Sequence, residues 1–138
     1  GLIPPDSTLV FVIEIVDVKA KALSDELAKT LEEKGLDAMV AQFHELQQTG
    51  FGDMYAGESD LNGLGYQLLN KKKLQEAIAV FKLNVEAFPK SANVYDSLAE
   101  AYMTNGDKQL AIENYNKALS IDPNMESAKS NLKKLSEN

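Results

Sequence analysis

Between Glu58 and Met125 the chain repeats itself at a fixed spacing, and few folds accommodate such a pattern. Leu64, Ala77, Phe81 and Pro89 return as Leu98, Ala111, Tyr115 and Pro123, each pair 34 residues apart. A period of this length holds one helix–turn–helix unit. In the second copy Tyr95, Leu98, Ala99, Tyr102, Ala111, Tyr115, Ala118 and Pro123 fall where a large or a small residue is wanted. The first copy has Leu61, Leu64, Gly65, Leu68, Ala77, Phe81 and Pro89 in register, with Asn84 at the place of the small Ala118. Small residues let the two helices of a unit approach closely, while Phe81, Tyr95, Tyr102 and Tyr115 fill the space between units. Neither helix buries its apolar stripe alone, so such units stack, and about three are needed for stability.

The spacing and the large and small positions within it resemble the tetratricopeptide repeat. That resemblance implies an all-α fold: a right-handed superhelix of antiparallel helix pairs whose first helices line a concave face. The stretch from Leu61 to Met103 also resembles helical repeats appended to bacterial serine hydrolases of the beta-lactamase-like group, a module that accompanies several enzymes and names no substrate.

Composition bounds the rest. The 138 residues, 44% hydrophobic with a net charge of −7, suit one soluble domain with an appendage. No apolar run approaches the ~20 residues of a membrane span. Residues 1–57 carry ten acids against four lysines, and no part of the chain forms the basic face that phosphate binding needs, so nucleic acid is not expected as a partner. The absence of cysteine excludes disulfides and thiolate metal sites without choosing a compartment, so cytoplasm and periplasm both stay open. No leader is visible, and the chain reads as beginning in the middle of a protein.

Residues 1–19 differ from everything that follows. Pro4 and Pro5 forbid a helix start, and from Thr8 to Val18 the residues alternate, with Leu9, Phe11, Ile13 and Ile15 on one face and Val10, Val12, Glu14, Val16 and Val18 on the other. This predicts a strand that is apolar on nearly both faces, with no partner strand evident elsewhere in the sequence. Gly-Leu-Ile-Pro-Pro-Asp-Ser-Thr-Leu-Val-Phe-Val-Ile-Glu-Ile-Val-Asp-Val-Lys closely resembles the last strand of bacterial FKBP-type peptidyl-prolyl cis-trans isomerases. There a Gly-aliphatic-Ile-Pro-Pro turn leads into a Leu-Val-Phe strand. The resemblance implies that Leu2, Ile3 and Phe11 match residues lining the proline-binding pocket, and that the parent protein lowers the ~18–20 kcal/mol barrier of the X-Pro bond. The rest of that pocket is absent, so these 138 residues are not expected to catalyse isomerisation. A strand of this kind, unpaired, is expected to pair antiparallel with its own copy in a homodimer.

Residues 20–57 form a degenerate helical hairpin and a loop. Leu23, Leu27 and Leu31 make one stripe, with Ser24 or Asp25 as its N-cap and Gly35 as its stop. Leu36, Met39, Val40, Phe43 and Leu46 make a second. Met39 and Phe43 stand as Ala77 and Phe81 do, offset by 38 residues rather than 34, which suggests a third repeat with four extra residues in the following loop. In that loop Phe51, Met54 and Tyr55 are expected to fold back on the helices. Two repeats (58–125) follow, with Ser91 as an N-cap, Gly106 as a helix stop and Asp107 as the next cap. Residues 126–138 read as a capping helix, with Met125, Ala128, Leu132 and Leu135 inward and Lys129, Lys133 and Lys134 outward.

No catalytic constellation is present and no cofactor is expected. His44 is the single histidine, which excludes paired-histidine metal sites and makes it a helix-surface residue. The Gly50/Gly52 and Gly63/Gly65 pairs lack the preceding strand and following Lys-Ser/Thr of a phosphate loop. Glu32 and Glu33 read as a solvated face, and the lysines at 71–73 as a hydrated turn. What remains is a binding surface. Asn62 and Tyr66 in the first unit, with Asn93, Asp96 and Glu100 in the second, point into the concave face, where asparagines can pair with the backbone of an extended peptide. In some eukaryotic relatives this groove clamps a chaperone's C-terminal carboxylates with lysines, and here Asp96 and Glu100 oppose that charge. The expected function is therefore a protein-interaction module attached to an isomerase involved in protein folding. The alternative is a spacer or oligomerisation element with no peptide ligand.

Overall fold

The computed structural model describes residues 21–137. Among these described residues seven helices follow one another: α1 (Leu23–Lys34), α2 (Leu36–Gln48), α3 (Glu58–Asn70), α4 (Leu74–Ala87), α5 (Ala92–Asn105), α6 (Lys108–Ile121) and α7 (Glu126–Glu137). None of the described helices is long and apolar enough to cross a membrane. The strand expected over Thr8–Val18, its self-pairing, and the pocket positions Leu2, Ile3 and Phe11 lie outside the described residues.

Consecutive helices pair as α1/α2, α3/α4 and α5/α6, α4 packs on α5 to join units, and α7 covers α6. The linkers explain the tight pairing. Gly35 alone separates α1 from α2, at φ +88°, a conformation that an L side chain rarely adopts. Gly106 ends α5 in the left-handed region at φ +87°, where the N–H of Asp107 donates to Tyr102 O at 2.9 Å and satisfies a carbonyl of the last turn.

The core falls into two parts that meet at Tyr102. In the first, Leu23, Leu27 and Leu31 pack with Met39 and Phe43, then with Leu61, Leu64 and Leu68 and, from α4, Ala77, Val80 and Phe81. The degenerate hairpin is thus part of the same stack as the regular units. In the second, five alanines (Ala92, Ala99, Ala111, Ala118 and Ala128) pack with Tyr115, which is fully buried. Alanine at each of these positions keeps the backbones close, so one large ring fills the space that remains. Ala128 brings α7 into this core, with Lys129, Lys133 and Lys134 exposed.

Three local expectations change. α1 starts at Leu23 with Ala22 at its N-cap, not at Ser24 or Asp25, and no side chain of its own caps it. The acceptor comes instead from α3: Asp60 Oδ2 takes the Ser24 N–H at 3.0 Å, and Asp60 Oδ1 accepts from the Ser24 hydroxyl. A carboxylate of the neighbouring unit thus holds the positive end of the α1 dipole. Ser91 and Asp107 do occupy N-cap positions, but neither side chain makes a capping bond; Asp107 accepts from Asn105 Nδ2 at 2.6 Å. In the loop, Phe51 packs its ring 5.6 Å from that of Phe43 and Met54 also turns inward, whereas Tyr55 is 57% exposed. Its backbone explains why. Tyr55 N–H donates to Lys21 O and Tyr55 O accepts from Leu23 N–H, a parallel bridge that aims the ring away from the core.

Candidate functional site

The first helices of the units, α1, α3 and α5, lie side by side, and α7 joins the row where the Ser127 hydroxyl donates to Asp96 Oδ2 at 2.9 Å. Spacing by four places Glu58, Asn62 and Tyr66 on one side of α3, and Asp96 and Glu100 on the facing side of α5. The five candidate groove residues therefore come together. Two rungs connect the helices directly: Asn93 Nδ2 donates to Glu58 Oε1 at 3.1 Å, and the Tyr66 hydroxyl donates to Glu100 Oε2 at 2.7 Å. The same hydroxyl lies 3.3 Å from Ser97 Oγ, and the Tyr66 ring meets the buried Phe81 edge-on, with centroids 5.2 Å apart. Tyr66 is fixed at both ends, by core packing and by hydrogen bonds.

Between these rungs sit Asn62 and Asp96, equivalent positions of successive units. The structure leaves an acceptor on each, Asn62 Oδ1 and Asp96 Oδ1, shielded from solvent and without a hydrogen-bond partner. Such groups cost roughly 1–3 kcal/mol each when nothing satisfies them. Burial raises the Asp96 carboxyl above its ordinary value, and the charge of Glu100 adds to the rise against the opposing hydroxyl of Ser127. Burial likewise pushes the Tyr66 phenol up to about 12, with both acids contributing. Tyr115 is raised too, first by burial and then by Asp96 and Glu100, while Asn131 on α7 opposes the rise. The electrostatic centre of the face is negative.

A cleft of about 210 Å³ continues the face between α1 and α3, lined by Ser24, Ala28, Asp60, Gly63 and Leu64. On the opposite side an apolar groove of about 280 Å³ runs between α2 and α4 past Val40, Ile78 and Leu83. His44 lies beside it on the surface, as expected, and meets Glu86 Oε2 at 2.9 Å. Among the described residues no group of three or more His, Cys, Asp or Glu could hold a metal ion. Glu58, Ser97 and Ser127 are members of the site that sequence reasoning missed. Glu58 carries a usable signal, standing four residues before Asn62, but Ser97 and Ser127 are visible only once the helices are packed.

The tetratricopeptide-repeat family model matches residues 92–125, which are α5, α6 and the turn after them. The fold is that of a tetratricopeptide-repeat superhelix. The first tetratricopeptide domain of human RPAP3 superposes with a TM-score of 0.57 over 83% of this chain and 87% of that one, at 16% identity. The first such domain of Spaghetti (RPAP3), bound to the HSP90 peptide SRMEEVD, gives 0.58 over 87% and 96%, also at 16% identity. The tetratricopeptide domain of Sgt2 from Aspergillus fumigatus gives 0.58 over 88% and 82%, again at 16% identity. No curated protein matches the chain in sequence. The repeat region thus shares its fold with the Spaghetti domain that holds SRMEEVD.

Proposed function

We propose that the chain is a protein-interaction module that holds an extended peptide along α3 and α5, through Asn62, Tyr66, Asn93, Asp96 and Glu100. The observation that carries this reading is the middle of that row, where Asn62 and Asp96 keep acceptors with no partner in the protein. A peptide laid along the row supplies donors from its backbone or side chains. The ligand differs from the acidic SRMEEVD held by Spaghetti, because Asp96 and Glu100 would repel carboxylates. A peptide-array screen followed by Asn62→Ala and Asn93→Ala tests the reading: a binder loses affinity in both, and a chain that binds no peptide refutes it.

The same proposal places the module at the C-terminus of a bacterial FKBP-type peptidyl-prolyl isomerase, supported by the resemblance of residues 1–19 to that family's last strand. On this reading the chain divides into the isomerase strand (1–19), a degenerate hairpin and loop (20–57), two repeats (58–125) and a capping helix (126–138). The 138 residues alone should show no turnover of prolyl peptides, and turnover would overturn the assignment. Residues 7–18 pair antiparallel with a second copy, so a chain starting at Lys19 should dimerise less by light scattering across a concentration series.

One observation favours the spacer reading instead. Asn93, Tyr66 and Ser127 already spend their donors on Glu58, Glu100 and Asp96, as a face built only to hold helices together would do. The array screen separates the two readings, since a spacer has no affinity to lose.

A further inference from the structure

The polar groups of the α3–α5 face are unevenly matched, and the imbalance has a direction. Three of its donors are committed: an N–H of the Asn93 amide to Glu58, the Tyr66 hydroxyl to Glu100, the Ser127 hydroxyl to Asp96. Its shielded groups without a partner are both acceptors, Asn62 Oδ1 and Asp96 Oδ1. Asp96 and Glu100 stand at i and i+4 on one helix, a like-charge pair that repels. The ion pairs found among the described residues, Lys21–Glu26, His44–Glu86 and Lys129–Glu126, include neither of them.

A ligand that suits Asp96, Glu100 and the Asn62 carbonyl is rich in donors and positively charged. We propose that the peptide bound here carries an arginine or lysine whose cationic head is received by Asp96 and Glu100. The inference rests on the peptide-binding reading above and narrows it to one class of ligand. Arginine fits better than lysine, because a planar guanidinium offers five N–H donors and no acceptor, enough to serve two carboxylates and the Asn62 carbonyl together.

The test uses the full 138-residue chain and a fluorescein-labelled positional-scanning nonapeptide library, read by fluorescence polarisation. Signal should concentrate in sublibraries with arginine or lysine fixed. The best arginine peptide should then weaken by about tenfold or more when norleucine replaces the arginine, as the loss of a hydrogen bond to a charged group predicts. Asp96→Asn and Glu100→Gln should each weaken it by about tenfold as well. Asp96→Asn is isosteric and keeps an acceptor for Ser127, so it reports on charge even if Glu100→Gln fails to fold. Glu45→Gln, on the exposed side of α2, should leave affinity unchanged. If peptides bind but prefer acidic or apolar residues, or ignore Asp96→Asn, the cation preference is overturned while the peptide groove stands. If no sublibrary binds, the groove reading itself fails and the inference falls with it.

Discussion

Gly65→Ala tests the packing logic of the stack most sharply, because two sizeable effects oppose each other. A Cβ at Gly65 would lie 2.5 Å from Phe81 Cε1, 2.6 Å from Cζ and 2.8 Å from Cδ1. Carbon atoms in contact settle at about 3.5–4.0 Å, so the ring would have to withdraw by roughly 1 Å. It has little room, being fully buried and set edge-on against Tyr66. Alanine gains about 1 kcal/mol over glycine in a helix interior. Overpacking a core of this kind costs about 1–3 kcal/mol. The clash should win by about 1 kcal/mol, lowering the melting temperature by roughly 3–6 °C. Gly63 is the internal control: it lies in the same helix, is exposed, and an added Cβ would meet nothing within 4 Å. Gly63→Ala should therefore stabilise by about 0.5–1 kcal/mol. Urea and thermal melts of both variants decide, with Phe81→Leu as a second background in which Gly65→Ala should reverse sign. If Gly65→Ala stabilises as much as Gly63→Ala, close helix approach at this position is not what the glycine serves.

Three further predictions follow from single contacts. Asp60→Ala should cost about 1–2 kcal/mol in urea melts, since it strips the Ser24 amide and hydroxyl of their acceptor although Asp60 belongs to another helix. Asn84→Asp should destabilise by about 2–4 kcal/mol and Asn84→Ala by no more than about 1, because the fully buried Nδ2 donates to Glu58 O at 3.1 Å and a carboxylate there would face a carbonyl; equal losses would refute this. Asp96 has its carboxyl raised in the folded state, so its stability contribution is full below the ordinary 3.8 and is lost as pH rises through the raised value. Asp96→Asn should thus melt higher at pH 7, by less than about 1 kcal/mol after solvent screening, with the gap closing as the pH falls toward 3.

The stacking was legible because close packing leaves a residue-type record at each contact. Ala77 with Ala111 and Phe81 with Tyr115 mark the same two positions in successive units, and all four are fully buried. Even the buried stripes of α1 and α2 were readable from Leu23, Leu27, Leu31, Met39 and Phe43, though the family model matches only residues 92–125. Contacts between polar groups left no such record. Asp60 and Ser24 are 36 residues apart, and nothing in either residue's neighbours marks one as the cap of the other's helix. The site divides in the same way. Helical spacing placed Asn62, Tyr66, Asp96 and Glu100 on one face, but which donor each acceptor finds depends on helix separations of a few tenths of an ångström. Asn93 pairing with Glu58, and Asn62 left without a donor, could only be seen in three dimensions.

Asp96 carries two opposite expectations, and their combination separates a binding site from a structural one. As a scaffold residue it is poorly placed: partly buried, beside a like charge, with one oxygen shielded and unpartnered. Neutralising it should strengthen the fold, and the second oxygen keeps its bond to Ser127 when asparagine replaces aspartate. As a ligand for a peptide cation it is well placed, because one of its oxygens is left without a donor beside a second carboxylate. A residue whose removal raises stability while lowering affinity stores unsatisfied capacity that only a partner can discharge. If the row on α3 and α5 served helix packing alone, Asp96→Asn would still relieve this strain, but there would be no peptide affinity for it to lose. The change in peptide affinity, measured beside the stability change at pH 7 on the same variant, distinguishes a face still waiting for donors from one already complete.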